Sequence, residues 1–364
     1  MINYINSTLK ILFFNLMFLL LFIFIIEIFF GYWFDKNNFG PYMREHRMKN
    51  QKIEYSDATE KKKFYYRRNY YGFRGKDIEP KDMEAIIIGG SVIDERHKPE
   101  EYTITGFLNQ NLKDNNVDLV ITNAGIEAMS SSGIIHGFNN WFFKLKDFSP
   151  KFILFYIGNN DLSLGPNDTI EKIIKRHKKG KGSQANGHIL NPDNLEVFFD
   201  NLKTRSILYD TARIFKFKYL PRKNFVKFDG KVDQNYLEAN IKFKSYKVAS
   251  EEYSEKFIKR KYNKRIKNYL DRIDLLYKLS KQLGSTPIFI TTIQSKGHLD
   301  NIFALNTSLI KHCSAKKYKC INLAKKLNGK TEYWYDGVHS SKKGSEKIAK
   351  IIYEDFYKIL NNVN

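Results

Sequence analysis

From residue 11 to residue 34 the chain is almost wholly apolar (ILFFNLMFLLLFIFIIEIFFGYWF), broken only by Asn15 and Glu27. About 20 apolar residues in a helix cross a bilayer core, and no polar face is left here for a soluble interior. The apolar stretch is longer than that of a cleaved signal, and no small-residue cleavage site follows it. The pattern predicts one transmembrane helix over 11–34, with Tyr32 and Trp33 in the interfacial belt. Beyond it the periodicity changes. Residues 35–80 are polar and aromatic, punctuated by Gly72, Gly75 and Pro80, and read as a linker and lead-in. Short apolar runs at 85–88, 119–122, 152–157, 287–292 and 320–323 are β-branched or aromatic and bounded by turn residues, as buried parallel strands are. Helical spacing marks 104–112, 133–143, 253–283 (stopped by Gly284) and the stretch after Ser341.

Strands alternating with helices predict a three-layer α/β/α, flavodoxin-like domain. Its sheet should hold about five parallel strands in the order 2-1-3-4-5. Residues 166–250 break the alternation and read as an insertion or cap. The expected organisation is a short flank at 1–10, the span at 11–34, the lead-in at 35–80 and the α/β domain at 81–364.

Composition adds limits. Of 364 residues, 42% are hydrophobic and 15% aromatic, enough for a packed core. Lys+Arg 61 against Asp+Glu 39 leaves a formal charge of +22, which favours acidic partners. The lysines are dispersed, however, and nucleic acid is not an expected partner. Two cysteines, Cys313 and Cys320, cannot build a metal site alone; a disulfide and two free thiols both fit. No metal or cofactor is expected, and no phosphate-cradling glycine motif is present. The basic residues after the span would by count keep the domain inside the cell, but long domains cross largely regardless of charge.

The strand ends carry the candidate chemistry. Gly89-Gly90-Ser91 follows the first strand, Asn123-Ala124-Gly125 the second, and Gly158-Asn159-Asn160-Asp161 the third. Asp336-Gly337-Val338-His339 precedes the last helix. In the expected strand order Ser91 is central, between Gly125 and Asn160. Ser91 is then the candidate nucleophile, His339 its general base, and Asp336 the group that holds the imidazole. The Ser91 and Gly125 N–H groups and the Asn160 amide form a candidate oxyanion hole. Asp161 is expected to cap a turn, and His97 and His136 to be structural or surface residues. Gln294 is expected to be a loop residue or part of the pocket lining, and the basic run 172–181 a solvated loop.

These segments resemble, in order and spacing, the blocks of the SGNH/GDSL hydrolase family over roughly residues 64–360. Ser91, Gly125, Asn160 and the Asp336–His339 pair match one block each. Asn69–Gly75 looks like the lead-in of membrane-anchored bacterial members. Gly90 stands where the family has aspartate, as in a G-G-S subgroup of surface-glycan proteins, and Glu127-Ala128 replaces a second glycine in the second block. The resemblance implies a serine esterase acting on O-acyl groups of a bacterial surface glycan, anchored in the cell membrane with its domain outside the cytoplasm. An O-acyltransferase and a non-catalytic glycan-binding member remain the alternatives.

Overall fold

A computed structural model of the chain describes residues 2–34, 50–57, 59–69, 71–173, 226–229 and 242–361, together with some positions between 199 and 215. The first helix, α1 (Ile2–Phe30), contains an apolar stretch, Leu9–Phe30, whose mean hydropathy of 2.8 and lack of burial suit it to cross a membrane. It stops four residues short of the expected end, at Gly31. There the Trp33 indole folds back and donates to Glu27 Oε2 at 3.0 Å.

The lead-in holds more order than its polar composition suggests. Strands β1 (Asn50–Ser56) and β2 (Lys61–Arg67) pair antiparallel, and β6 (Val226–Asp229) adds to β1 in parallel. Along β2 the exposed Lys61, Lys63, Tyr65 and Arg67 alternate with the covered Lys62, Phe64 and Tyr66, and Ile53 and Tyr55 of β1 are buried. Of the insertion expected at 166–250, most residues lie outside the described set, including the basic run from 174 onward.

The main sheet is built from β3 (Ala85–Gly89), β4 (Ile121–Asn123), β5 (Phe152–Tyr156), β7 (Thr286–Ile290) and β8 (Lys319–Ile321). All five strands are parallel, in the order β4-β3-β5-β7-β8, which is the 2-1-3-4-5 arrangement expected. Alternate residues of a strand face opposite layers. Ile86, Ile88, Ile153, Phe155 and Phe289 pack under α4 (Ser131–Asn140), α6 (Glu255–Gln282) and α7 (Asp300–Lys316). Ala85, Ile87, Leu154, Ile288 and Ile290 pack under α3 (Ile104–Asp114) and α9 (Lys342–Asn361). Three short or flanking helices are also present among the described residues: α2 (Ser91–Asp94), α5 (Tyr246–Glu252) and α8 (Leu323–Lys326). Cys313 and Cys320 form a disulfide joining α7 to β8.

Candidate active site

β3 is buried along its whole length and ends at Gly89, so the chain emerges from the core at the sheet's carboxyl edge. Gly90 is extended, and Ser91 opens α2. The loop before α9 comes to meet it. Asp336 accepts from the Val338 and His339 backbone N–H groups, both at 2.7 Å, which folds that loop into a tight turn. Ser295 holds the turn from outside, its backbone N–H and hydroxyl both donating to the Gly337 carbonyl. The turn brings His339 Nδ1 to 2.7 Å from Asp336 Oδ2 and His339 Nε2 to 2.8 Å from Ser91 Oγ. An ionised carboxylate only accepts, so Nδ1 carries the proton and Nε2 accepts from the Ser91 hydroxyl. Burial works against the Asp336 carboxylate, yet the hydrogen bonds from His339 and Val338 outweigh it and hold it below its usual range.

Asn160, at the end of β5, stands beside this chain of bonds. Its amide donates to the Met129 carbonyl at 2.9 Å. A Cβ added to Gly90 would lie 1.9 Å from Asn160 Nδ2. The Gly-Gly-Ser sequence thus leaves room for an amide that an aspartate at position 90 would displace.

Gly125 is placed otherwise than expected. Its N–H donates to Asn123 Oδ1 at 2.9 Å, and its carbonyl is taken by Arg68. A Cβ there would meet the Asp94 nitrogen at 2.4 Å, so glycine is required by packing against the end of α2 rather than by approach of a substrate. In this loop the N–H groups of Glu127, Ala128 and Ser130 have no partner among the described residues. Ala128 is held at φ +60, between Glu127, which lines the cavity, and Met129, whose carbonyl takes Asn160. A left-handed alanine is uncommon, and nothing in the residue type marks it.

Three buried ion pairs frame the site. Arg68 donates to Asp94 Oδ1 at 2.8 Å, and Tyr66 and Arg74 close on the same turn, pinning the lead-in to the end of α2. Glu95, at φ +42, ends α2. Its carboxylate takes the Lys98 ammonium, the Ile104 N–H and the hydroxyls of Ser340 and Ser345. Lys98 also donates to the Ser340 carbonyl at 2.8 Å, so one buried cluster ties the residue after His339 to the helix that carries Ser91. Burial holds the Lys98 ammonium below its usual range, and Glu95 only partly restores it. Asp161 is not a turn cap. It is buried, pairs with Arg272 at 3.1 Å and accepts from Ser131, fixing the loop that presents Asn160.

A cavity of about 200 Å³ opens over Ser91 and His339, walled by Arg96, His97, Glu127, Phe228 and Tyr335. Tyr335 stacks on the His339 ring with centroids 5.6 Å apart, and His97 stacks on Phe228 at 4.7 Å. Burial, helped by the Arg96 charge, lowers the His97 pKa. Arg96 and Glu127 pair at 2.7 Å at the mouth. His97 therefore belongs to the site, whereas His136 and Gln294 do not line it. Among the described residues no group of three His, Cys, Asp or Glu could hold a metal ion.

No known family model matches the chain, and no curated protein does. Solved structures similar to it include TesA, with 10% identity and a TM-score of 0.39 over 74% of this chain and 96% of that one. The psychrotrophic esterase EstA from Pseudoalteromonas sp. is 13% identical, with a TM-score of 0.41 over 76% of this chain and 99% of its own. A lipolytic protein of the G-D-S-L family from Veillonella parvula is 13% identical, with a TM-score of 0.39 over 75% and 97%.

Of the residues expected to act, Ser91, His339 and Asp336 join in one chain of hydrogen bonds, Asn160 stands against Gly90, and the Gly125 N–H is engaged by Asn123. His97, Arg96, Tyr335, Ala128 and the Glu95–Lys98 cluster carry no sequence signal strong enough to select them. Tyr335 and His339 stack across a non-helical loop, closed by the Tyr335 N–H donating to the His339 carbonyl at 3.2 Å.

Proposed function

We propose that this chain is a membrane-anchored serine esterase that forms an acyl–Ser91 intermediate, its catalytic unit lying within 81–364. The reading rests on one observation, the continuous Ser91–His339–Asp336 chain with contacts of 2.8 and 2.7 Å at the carboxyl edge of the sheet. Ser91 Oγ attacks the ester carbonyl as its proton passes to His339 Nε2, and Asp336 steadies the imidazolium. The Ser91 N–H and the second Asn160 amide hydrogen stabilise the oxyanion. Collapse expels the alcohol, protonated by His339, and water activated by the same imidazole releases the acid.

The cavity of about 200 Å³ favours a short acyl group, being smaller than sites that enclose drug-sized ligands. Aromatic faces on Tyr335 and Phe228 beside charged Arg96 and Glu127 suit a polyhydroxylated alcohol portion, such as a sugar of a surface glycan. The Cys313–Cys320 disulfide supports an oxidising compartment, hence a domain outside the cytoplasm with α1 as its anchor. A sugar hydroxyl in place of the final water would make the same site an O-acyltransferase.

Detergent-solubilised full-length protein should hydrolyse acetyl esters of phenols or acetylated glycans. Ser91→Ala should lower kcat by about 10³-fold or more. Added sugar acceptors distinguish transfer from hydrolysis by the product formed. Wild-type protein inert on every short-chain ester, or a Ser91→Ala variant as active as wild type, would leave a non-catalytic glycan-binding role.

A further inference from the structure

Glu27 is out of place in an apolar span, and the structure supplies its partners. It lies three residues from the end of the Leu9–Phe30 stretch, about 5 Å along the helix axis. A carboxylate at that depth is costly unless its oxygens are satisfied. Ser206 Oγ donates to Glu27 Oε1 at 2.6 Å, and the Ile207 and Leu208 N–H groups donate to its two oxygens at 3.2 Å. Ser206 also accepts from the Tyr209 N–H at 3.0 Å, which starts a helical turn on top of the carboxylate. The Tyr32 N–H donates to the Arg205 carbonyl at 2.8 Å, and the Arg205 guanidinium donates to the Trp33 carbonyl at 3.3 Å. A piece of the insertion is thus latched to the end of the anchor.

The same piece exposes large apolar side chains. Phe199 and Phe215 are each 54% exposed, Leu208 40% and Leu202 36%, and Phe143, in the turn after α4, is 39% exposed. Lys203 and Arg205 lie among them in sequence. Apolar side chains mixed with basic ones, held in register with the end of a membrane span, have the make-up of a segment that lies in the lipid interface.

We propose that the described residues between 199 and 215, Phe199, Leu202, Leu208 and Phe215 with Lys203 and Arg205, form a second membrane contact, an interfacial surface that rests on the bilayer beside α1 and is seated there by Glu27. Its occupant is the headgroup and upper acyl region of the lipid. The proposal depends on α1 spanning the bilayer.

The test uses the full chain in nanodiscs of phosphatidylcholine and phosphatidylglycerol. With Cys313 and Cys320 joined, one introduced cysteine is the sole free thiol. Leu202→Cys, Leu208→Cys, Leu16→Cys and Lys113→Cys are each labelled with a small fluorophore and exposed to lipid-borne nitroxide or to aqueous iodide. Lys113 is an exposed residue of α3, on the other face of the sheet. A nitroxide just below the headgroups should quench the labels at 202 and 208 at least about twofold more than the label at 113, as an interfacial depth requires. A nitroxide deep in the acyl chains should quench the label at 16. A label at 16 shielded from iodide, with labels at 202 and 208 as open to it as the one at 113, overturns the proposal and leaves the anchor standing. A label at 16 that iodide reaches overturns the anchor and the proposal together.

Discussion

Gly90 has the least room for change in the site, because its missing side chain is where Asn160 stands. Gly90→Ala should therefore push the Asn160 amide away while leaving the fold intact. Loss of one oxyanion donor lowers kcat/KM by about 10²–10³-fold, and esterase kinetics beside a melting curve would show it. Full activity in that variant would remove Asn160 from the mechanism. Lys98 is a residue of the opposite kind, charged, buried and bound to Glu95 and the Ser340 carbonyl. Removing one partner strands the other in the interior, at a cost of about 3–5 kcal/mol. Lys98→Met should show a loss of that order in urea denaturation.

Among the elements, the main sheet was readable because parallel strands buried on both faces leave short β-branched runs, and because turns interrupt them. The candidate loops lie at element ends: Gly90-Ser91 and Asn160 follow apolar runs, and Asp336–His339 precedes the last helix. The hairpin of β1 and β2 was not readable, since Lys61–Arg67 hides its alternation among lysines. The ion pairs Arg68–Asp94, Lys98–Glu95 and Arg272–Asp161 were not either. In so lysine-rich a chain, no charge announces that it is buried. The helix α7 escaped notice as well, and it carries a consequence for pH. His298, two residues before it, donates from Nε2 to the Ala324 carbonyl at 3.0 Å, and burial lowers its pKa to about 4. The unfolded chain takes up this proton near pH 6.5 and the folded chain only near pH 4. Its contribution is thus fully present above 6.5 and is lost as pH falls towards 4. The loss amounts to about 3 kcal/mol at most. Melting temperatures across that window should fall in the wild type and fall less in His298→Gln. The Cys313–Cys320 link closes a short loop and is worth about 2 kcal/mol by chain entropy, so Cys320→Ser should lower stability by that order without abolishing esterase activity.

For the whole molecule, a helix long and apolar enough to cross a membrane precedes the sheet and the cavity at its carboxyl edge, and lysines give the chain an excess of positive charge. A net +22 at dispersed lysines makes approach to acidic surfaces salt-dependent, whereas the proposed chemistry depends on a serine made nucleophilic by one imidazole. That claim is tested most directly by intact-mass spectrometry after treatment with a serine-directed ethyl phosphonate ester. One phosphonyl adduct should form on the wild-type chain, map to the peptide containing Ser91, form at least about 10²-fold more slowly in His339→Ala, and be absent in Ser91→Ala. A wild-type chain that takes no adduct, or a Ser91→Ala chain that takes it equally fast, would contradict the account.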